Sequence, residues 1–567
     1  MRFGWPGTFM HTITTRPVSE KDILSLPLAK KVGQLCCPIL QASSLLDYLR
    51  TIVAECGVAF VRYCPNAYYD NQSRLVCDPS PYLTPQKNAA LLNELQALSL
   101  EQGSGLPVFV GIDQEGGTRN DLNRYGTLVF GSHMSFGCAD DPALTEETAR
   151  LTGLQMRALG INLIQAPCTD VFQFAGRATV KATSFGEDPA LVTRHALAMM
   201  RGYKRAGLAV MIKHFPGYGA TAVDAHKGIA EIRKPLDELE ALDNRPTREL
   251  LAAGADAIMI GHAIVPAMDP GRAPASMSHA IVHGYLREKL GFDGIIQTDA
   301  LRMNAIHDNY GTAVASVRAV QAGCDVLLLR GDVNHFLDGY RAVYDAVKSG
   351  EISEARLDES LLRLHRLRQR AGLYETAFVQ PEKAAAPFAS EDARRCAQTL
   401  ADRSVVVLRD DAKLLPAKIG AGARVAVISP KPQKLDGAND PIQSEDMLIK
   451  AVRERFPNAA GVLTELVPTD ANIAAARAAC AGADFVIVGS INAINFARQP
   501  ELVSACLDSG KPAVVVAMES PFDLEKYPQA RTCLCTLGAS RDAMTSAIKI
   551  ITGELQPTGR LPVTLKN

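Results

Sequence analysis

From residue 28 to 370 the chain alternates short apolar runs with amphipathic stretches. The runs are VGQLCCPI (32–39), GVAFVRY (57–63), LPVFVGID (106–113), INLIQAPCTDV (161–171), LAVMIKHF (208–215), ADAIMIGHAIV (255–265), GIIQTDAL (294–301) and CDVLLLRG (324–331). Between several of them the apolar positions recur at helical spacing. DPALVTRHALAMMRGYKRAG (188–207), TRELLAAGA (247–255) and TAVASVRAVQAG (312–323) are expected helices, each with glycine where a helix C-terminus takes one. Strand-like runs alternating with helices predict parallel βα units. Eight of them fit a (β/α)8 TIM-like barrel, although a doubly wound sheet would show similar runs.

The polar residues favour the barrel. GIDQEGG, KHFPGYG and TDALRM each follow directly on an apolar run. In a parallel barrel such positions all face the C-terminal mouth, where active sites sit. Residues 372–392, GLYETAFVQPEKAAAPFASED, break the alternation with Pro, Ala and polar residues. Beyond them SVVVLRD, RVAVISP, ADFVIVGS, PAVVVAMES and RTCLCTLG alternate with further helical stretches. The expected organisation is a catalytic barrel over 1–375, a linker over 376–392 and a C-terminal α/β three-layer sandwich over 393–567.

Composition narrows the function classes. Sixty basic and 61 acidic residues give a net charge of −1, which argues against nucleic acid or a membrane surface as the main partner. The N-terminal stretch lacks the apolar run of a signal peptide, and no run of about 20 apolar residues is present. Of thirteen cysteines, those of CC (36–37) and CLC (533–535) lie in apolar, strand-like contexts without metal-ligand spacing, so buried thiols in a reducing, cytoplasmic setting are expected.

Three stretches carry candidate chemistry. Asp299 follows a strand, where a carboxylate can work at a barrel mouth; aspartate also caps helices well, so position alone leaves both readings open. In GIDQEGGTRN, Asp113 and Glu115 precede paired glycines, and Asp113 is placed to accept hydrogen bonds from hydroxyls. KHFPGYGATAVDAH (213–226) puts Lys213 and His214 at a strand end and then forces an irregular loop. On that loop Asp224 and His226 stand two residues apart. If the backbone bends, the carboxylate can orient the ring and stabilise its charged form, making a tuned acid/base. No H-E-x-x-H or cysteine cluster accompanies these residues, so neither metal nor cofactor is expected.

In this order and spacing, DQEGG, SFGEDP (184–189), KHFPG with D-A-H downstream, PASMS (274–278) and GFDGIIQTDAL resemble glycoside hydrolase family 3, in its β-N-acetylhexosaminidase branch. The resemblance covers 28–375 and, more loosely, the second domain. It implies a retaining exo-glycosidase that removes a terminal β-linked N-acetylhexosamine through a covalent glycosyl-aspartate. Asp299 would be the nucleophile and His226, paired with Asp224, the acid/base. Asp113, Lys213 and His214 would bind the sugar, and Met303 is a further candidate contact. The co-substrate is water. Because a neutral His does not repel an anionic nucleophile, phosphate could replace water, giving a phosphorylase. The same motifs also fit a β-glucosidase or a catalytically silent sugar-binding relative. The sequence departs from the family pattern where the sugar is read. Thr183 stands where the family has an Arg, with Lys181 or Arg177 as substitutes for its charge. Asp121 stands in another Arg position, with Arg119 or Arg124 as substitutes. Tyr218 replaces a second His of the family motif. These departures leave the sugar itself open.

Overall fold

The computed structural model describes residues 18–565 except 42–44, 66, 70–74, 78–82, 118, 123–129, 174–180, 222–227, 421 and 432–445. The eight apolar runs contribute eight parallel strands. They are β1 (Cys36–Cys37, resuming over Ile39–Gln41), β2 (Phe60–Cys64), β3 (Phe109–Ile112), β4 (Leu163–Ile164), β5 (Ala209–Phe215), β6 (Ala257–Ile260), β7 (Ile295–Thr298) and β8 (Leu327–Leu328). Strands β1 to β7 lie side by side in chain order. The ring closes because β7 meets the start of β8 at Gln297–Val326, and β8 pairs with β1 at Leu327–Cys36. This is a closed (β/α)8 barrel. Its strands are buried along nearly their whole length, which explains why they read as continuous Val/Ile/Leu runs rather than as alternating ones.

The helices begin and end on local signals. Asp188 accepts a hydrogen bond from Ala190 N, and Pro189 opens the helix Pro189–Arg205. Gly323 closes Asn304–Ala322 at φ 115°, a left-handed conformation that suits glycine. The first run is shorter as a strand than its apolar pattern suggests. Leu28–Gln34 is helical, so Val32, Gly33 and Gln34 belong to a helix that packs against the barrel.

The base of the barrel is pinned by a buried ion cluster. Asp325, just before β8, is paired with Arg287 and accepts hydrogen bonds from Ile296 N at 2.9 Å and Ser360 Oγ at 2.7 Å.

The second domain is a six-stranded sheet of β9 (Val406–Asp410), β10 (Val425–Pro430), β11 (Ala460–Thr464), β12 (Phe485–Ser490), β13 (Ala513–Ala517) and β14 (Thr532–Cys535), in the order β9-β14-β13-β12-β10-β11. Only β9 runs antiparallel, at one edge. Alternate residues feed two separate cores. Val425 and Val427 face the helices Met447–Arg455 and Arg541–Thr552, whereas Ala426 and Ile428 face Asp470–Ala481 and Arg498–Leu507. This is the expected three-layer sandwich. The edge strand β11 and the helix Met447–Arg455 are additions to the elements that the sequence pattern predicts. Asp484, just before β12, is exposed and paired with Arg424 at 2.6 Å.

The connection between the domains is strapped to the barrel. Asn93 exchanges two hydrogen bonds with the backbone of Val379, and the helix Glu391–Ser404 touches both domains through Cys396–Thr148 and Gln398–Ser546. The sandwich sits against the loops that follow β3 and β4. Phe172 stacks on Phe522, ring centroids 5.0 Å apart, within an apolar cluster that includes Met134 and Leu537. Ser132 N donates to Leu537 O at 3.2 Å. A methyl group on Gly538 would stand 3.5 Å from Gly131 Cα and 3.8 Å from Gly117 Cα, so the second domain backs directly onto the DQEGG turn.

Candidate active site

Asp113 follows β3, Lys213 and His214 occupy the end of β5, and Asp299 follows β7. The parallel order carries these ends to one mouth. Lys213 Nζ donates to Asp113 Oδ1 at 2.7 Å and also pairs with Glu115, so the lysine lies beneath the two acids and is buried. Arg62, from β2, donates to Asp113 Oδ2 at 2.6 Å. Burial opposes the negative charge of Asp113, but Arg62 and Lys213 outweigh it and hold this carboxyl well below the ordinary carboxylate range. Asp113 is therefore an anion in the folded protein and can accept hydrogen bonds only.

His214 forms the second pair. Its Nδ1–H donates to Asp170 Oδ2 at 2.9 Å, and Asp170 Oδ1 accepts Tyr218 N at 2.8 Å. Burial disfavours charge on the ring, yet Asp170, with help from Asp299, raises its pKa above the ordinary value. Asp170 is correspondingly lowered, against the effect of burial. With Nδ1 committed to Asp170, Nε2 is the ring atom left for a ligand. The ring is only partly buried.

Asp299 is partly buried. Its N–H reaches Ile260 O at 2.8 Å, and its Oδ1 accepts Ala300 N at 2.7 Å. Behind it lies His262, at the end of β6. The ring is fully buried and bridges Ser276 Oγ at 2.8 Å and Ala300 O at 3.1 Å, so Nε2 carries the proton and Nδ1 accepts. The backbone N of His262 donates to Tyr218 Oη at 2.7 Å. Tyr218 thus ties the start of the KHFPGYG loop to the strand beside Asp299, a role that its phenol serves by reach.

The remaining expected site residues lie in different places. Met303 is buried with Ala300 and Met259 in an apolar cluster that Tyr218 packs against. Arg119 lies half-buried on a hairpin with Gln114–Gly116. Lys181 opens a 3-10 turn, Lys181–Thr183. Asp224, His226, Arg177 and Arg124 lie outside the described residues. Thr221, the last described residue before Asp224 and His226, is buried and hydrogen-bonded to Tyr218 O through both N and Oγ1. Motifs alone do not point to Arg62, Asp170 or His262. Their signal is a charged or polar residue inside or just after an otherwise apolar run, which burial obliges to find a partner.

Cys168, Asp170 and His214 bring three ligand-type atoms within 4.8 Å of one another. Cys168 Sγ donates to Asp170 at 3.0 Å and His214 donates from the other side. The cluster is thus internally satisfied by protons and by one ion pair. The arrangement as a whole brings a fixed anion, an imidazole paired with Asp170 and a second carboxylate to one end of the barrel, a set suited to polyhydroxylated ligands.

Comparison with known proteins agrees with this geometry. Residues 71–367 match the glycosyl hydrolase family 3 N terminal domain and 405–567 match its C-terminal domain. Beta-hexosaminidase A of Pseudoalteromonas piscicida is 26% identical over 523 residues, covering 84% of this chain and 86% of that protein. A beta-N-acetylglucosaminidase/beta-glucosidase of Cellulomonas fimi is 25% identical over 493 residues, covering 82% and 85%. The solved structure of a glycoside hydrolase family 3 beta-N-acetylglucosaminidase from Paenibacillus superposes with a TM-score of 0.86 at 28% identity, over 95% of this chain and 99% of that one.

Proposed function

This chain belongs to glycosyl hydrolase family 3, and on that premise we propose that it is a retaining exo-glycosidase acting on a terminal β-linked N-acetylhexosamine. Asp299 attacks the anomeric carbon and forms a glycosyl-aspartate while His226, paired with Asp224, protonates the leaving oxygen. Water then displaces the aspartate, with His226 taking its proton. Asp113 and His214 hold the sugar hydroxyls, one as a fixed acceptor and the other as a donor through Nε2.

The observation that carries this reading is that Asp299, after β7, and the His214–Asp170 pair, at the end of β5 and after β4, stand at the same end of the barrel as the anion Asp113. A nucleophile thus stands beside groups able to orient a sugar. The names of the relatives support the N-acetyl preference. A β-glucosidase reading is second, favoured by the double activity in the name of the Cellulomonas relative. We also propose a cytoplasmic setting, supported by twelve buried cysteines, none of which forms a disulfide with another described cysteine; among the described residues no helix is long and apolar enough to cross a membrane.

The test is nitrophenol release from aryl β-N-acetylglucosaminide and aryl β-glucoside, by wild type and Asp299→Ala, with and without phosphate. Release from the N-acetyl sugar that disappears in the variant is the expected result. Release from the glucoside alone would move the specificity, and a phosphate-dependent sugar 1-phosphate would change hydrolysis to phosphorolysis. Full activity in Asp299→Ala would overturn the assignment of the nucleophile.

A further inference from the structure

The aim of Asp113 is set from behind the pocket. A carboxylate turns readily about its last torsion, where the barrier is broad and low. Here each oxygen is held by a different cation, Oδ1 by Lys213 at 2.7 Å and Oδ2 by Arg62 at 2.6 Å. Arg62 is itself held by Asp121, which also accepts the N–H of Asp113 at 3.3 Å. Arg62, in the middle of this chain of contacts, is the most buried of the three. The Asp113 side chain is 21% exposed, Asp121 8% and Arg62 4%. Arg62 is therefore closed off from any sugar and can act only through Asp113.

We infer that Arg62 is a positioning residue for the glycosidase reaction, fixing the orientation and the charge of Asp113, and that Asp121 fixes Arg62 in turn. The inference rests on the proposed function. Arg62 Nη2 meets both carboxylates while Nη1 donates to Tyr63 O, so the planar guanidinium is held in one orientation, which a single ammonium could not be by the same contacts. With one lone pair of each Asp113 oxygen directed at a buried cation, the other lone pairs remain for the open side. The acid at position 121 belongs to this support and not to the sugar surface. Its own pKa is raised, by burial first and by the neighbouring charge of Asp113, against the pull of Arg62 and Arg330.

The experiment is a double-mutant cycle. kcat and KM are measured for wild type, Arg62→Met, Arg62→Lys, Asp121→Asn, Asp113→Asn and Asp113→Asn combined with Arg62→Met, on whichever aryl glycoside wild type cleaves fastest, with thermal unfolding recorded for each. Arg62→Met is expected to lower kcat/KM by roughly 10- to 100-fold, the size of a charge-assisted contact, and Arg62→Lys to recover part of the loss. Once Asp113 is Asn, adding Arg62→Met is expected to cost less than about 3-fold, because a residue acting through Asp113 has nothing left to act on. Additive losses, or a drop in unfolding temperature with unchanged kcat and KM, would overturn the inference. If Arg62→Met does not fold, Asp121→Asn carries the same comparison, with the same non-additivity expected. If wild type cleaves no glycoside, the proposed function has failed, and the cycle is read from calorimetric binding of N-acetylglucosamine and glucose. Affinity losses that are non-additive keep the inference, and additive losses or no binding by wild type overturn it.

Discussion

Asp170 Oδ2 and His214 Nδ1 lie 2.9 Å apart, joining the segment after β4 to the end of β5 as a partly buried ion pair at the mouth. Both partners shift in the direction the pair requires, His214 up and Asp170 down. His214 therefore contributes stability that is fully present below its ordinary value of 6.5 and is lost as pH rises through its higher folded value. Asp170 contributes above 3.8, and its share is lost as pH falls through its lower folded value. Between these limits the pair is whole. His214→Gln should thus destabilise the barrel most at pH 5 and progressively less above pH 7, as followed by urea unfolding at several pH values. A stability difference that stays constant from pH 5 to 9 would show that the pKa of His214 is the same in the folded and unfolded states, and that the pair with Asp170 does not favour its charged form.

Tyr218 links two halves of the site through one hydrogen bond, from His262 N to its Oη at 2.7 Å. Tyr218→Phe keeps the ring but leaves that N–H without its acceptor, which costs about 1–3 kcal/mol when the group is buried. His262 also holds Ala300 O, next to Asp299, so the loss should reach the nucleophile. The expected result is a lower unfolding midpoint together with a fall in kcat. A variant with lower stability and wild-type kcat would confine Tyr218 to a packing role.

At the opposite end of the barrel, Asp325 is fully buried and Arg287 nearly so. Their contacts with Ser360 and Ile296 join β8 to β7 and to the helix Glu354–Arg370. Asp325→Ala leaves Arg287 buried without its main counter-charge, a loss of about 3–5 kcal/mol. Denaturant unfolding should show this, while kcat/KM of the remaining folded enzyme stays close to wild type because the cluster lies at the far end from the mouth. A loss under about 1 kcal/mol, the size of an ordinary exposed pair, would mean that the cost of burying the Asp325 carboxylate offsets its attraction to Arg287, Arg356 and Arg363.

Much of this fold is legible in the sequence because a parallel strand buried on both faces leaves a run that polar residues interrupt only at its end. Those ends carry Asp113, Lys213, His214 and Asp299, so the mouth can be read from the order of runs. Arg62 is harder to place. It sits inside GVAFVRY, and its partners Asp113 and Asp121 are more than 50 residues away, a distance that no local spacing reports. Asp170 and His262 are hidden for the same reason, since their partners arrive from neighbouring strands. The edge strand β11 escapes a reading by apolar runs because AGVLT is half-exposed and starts on Ala and Gly, without the continuous apolar run of its neighbours.

The role assigned to His226 and Asp224 has its own test, which turns on the leaving group. A proton donor matters in proportion to the basicity of the oxygen it protonates, and a positioned acid typically contributes about 10²- to 10⁴-fold. Nitrophenolate leaves readily without a proton; the oxygen of a second sugar does not. His226→Ala should therefore lower kcat/KM far more for a disaccharide than for the nitrophenyl glycoside. Asp224→Asn should act differently. A neighbouring carboxylate raises the pKa of an imidazole, so its loss lowers that pKa. The limb of the pH profile on which activity falls as the acid loses its proton should move to lower pH, with a smaller loss at the optimum than in His226→Ala. Equal losses on both substrates would remove His226 from the proton-donor role. A pH limb that does not move in Asp224→Asn would separate the aspartate from the histidine while leaving Asp299 in place.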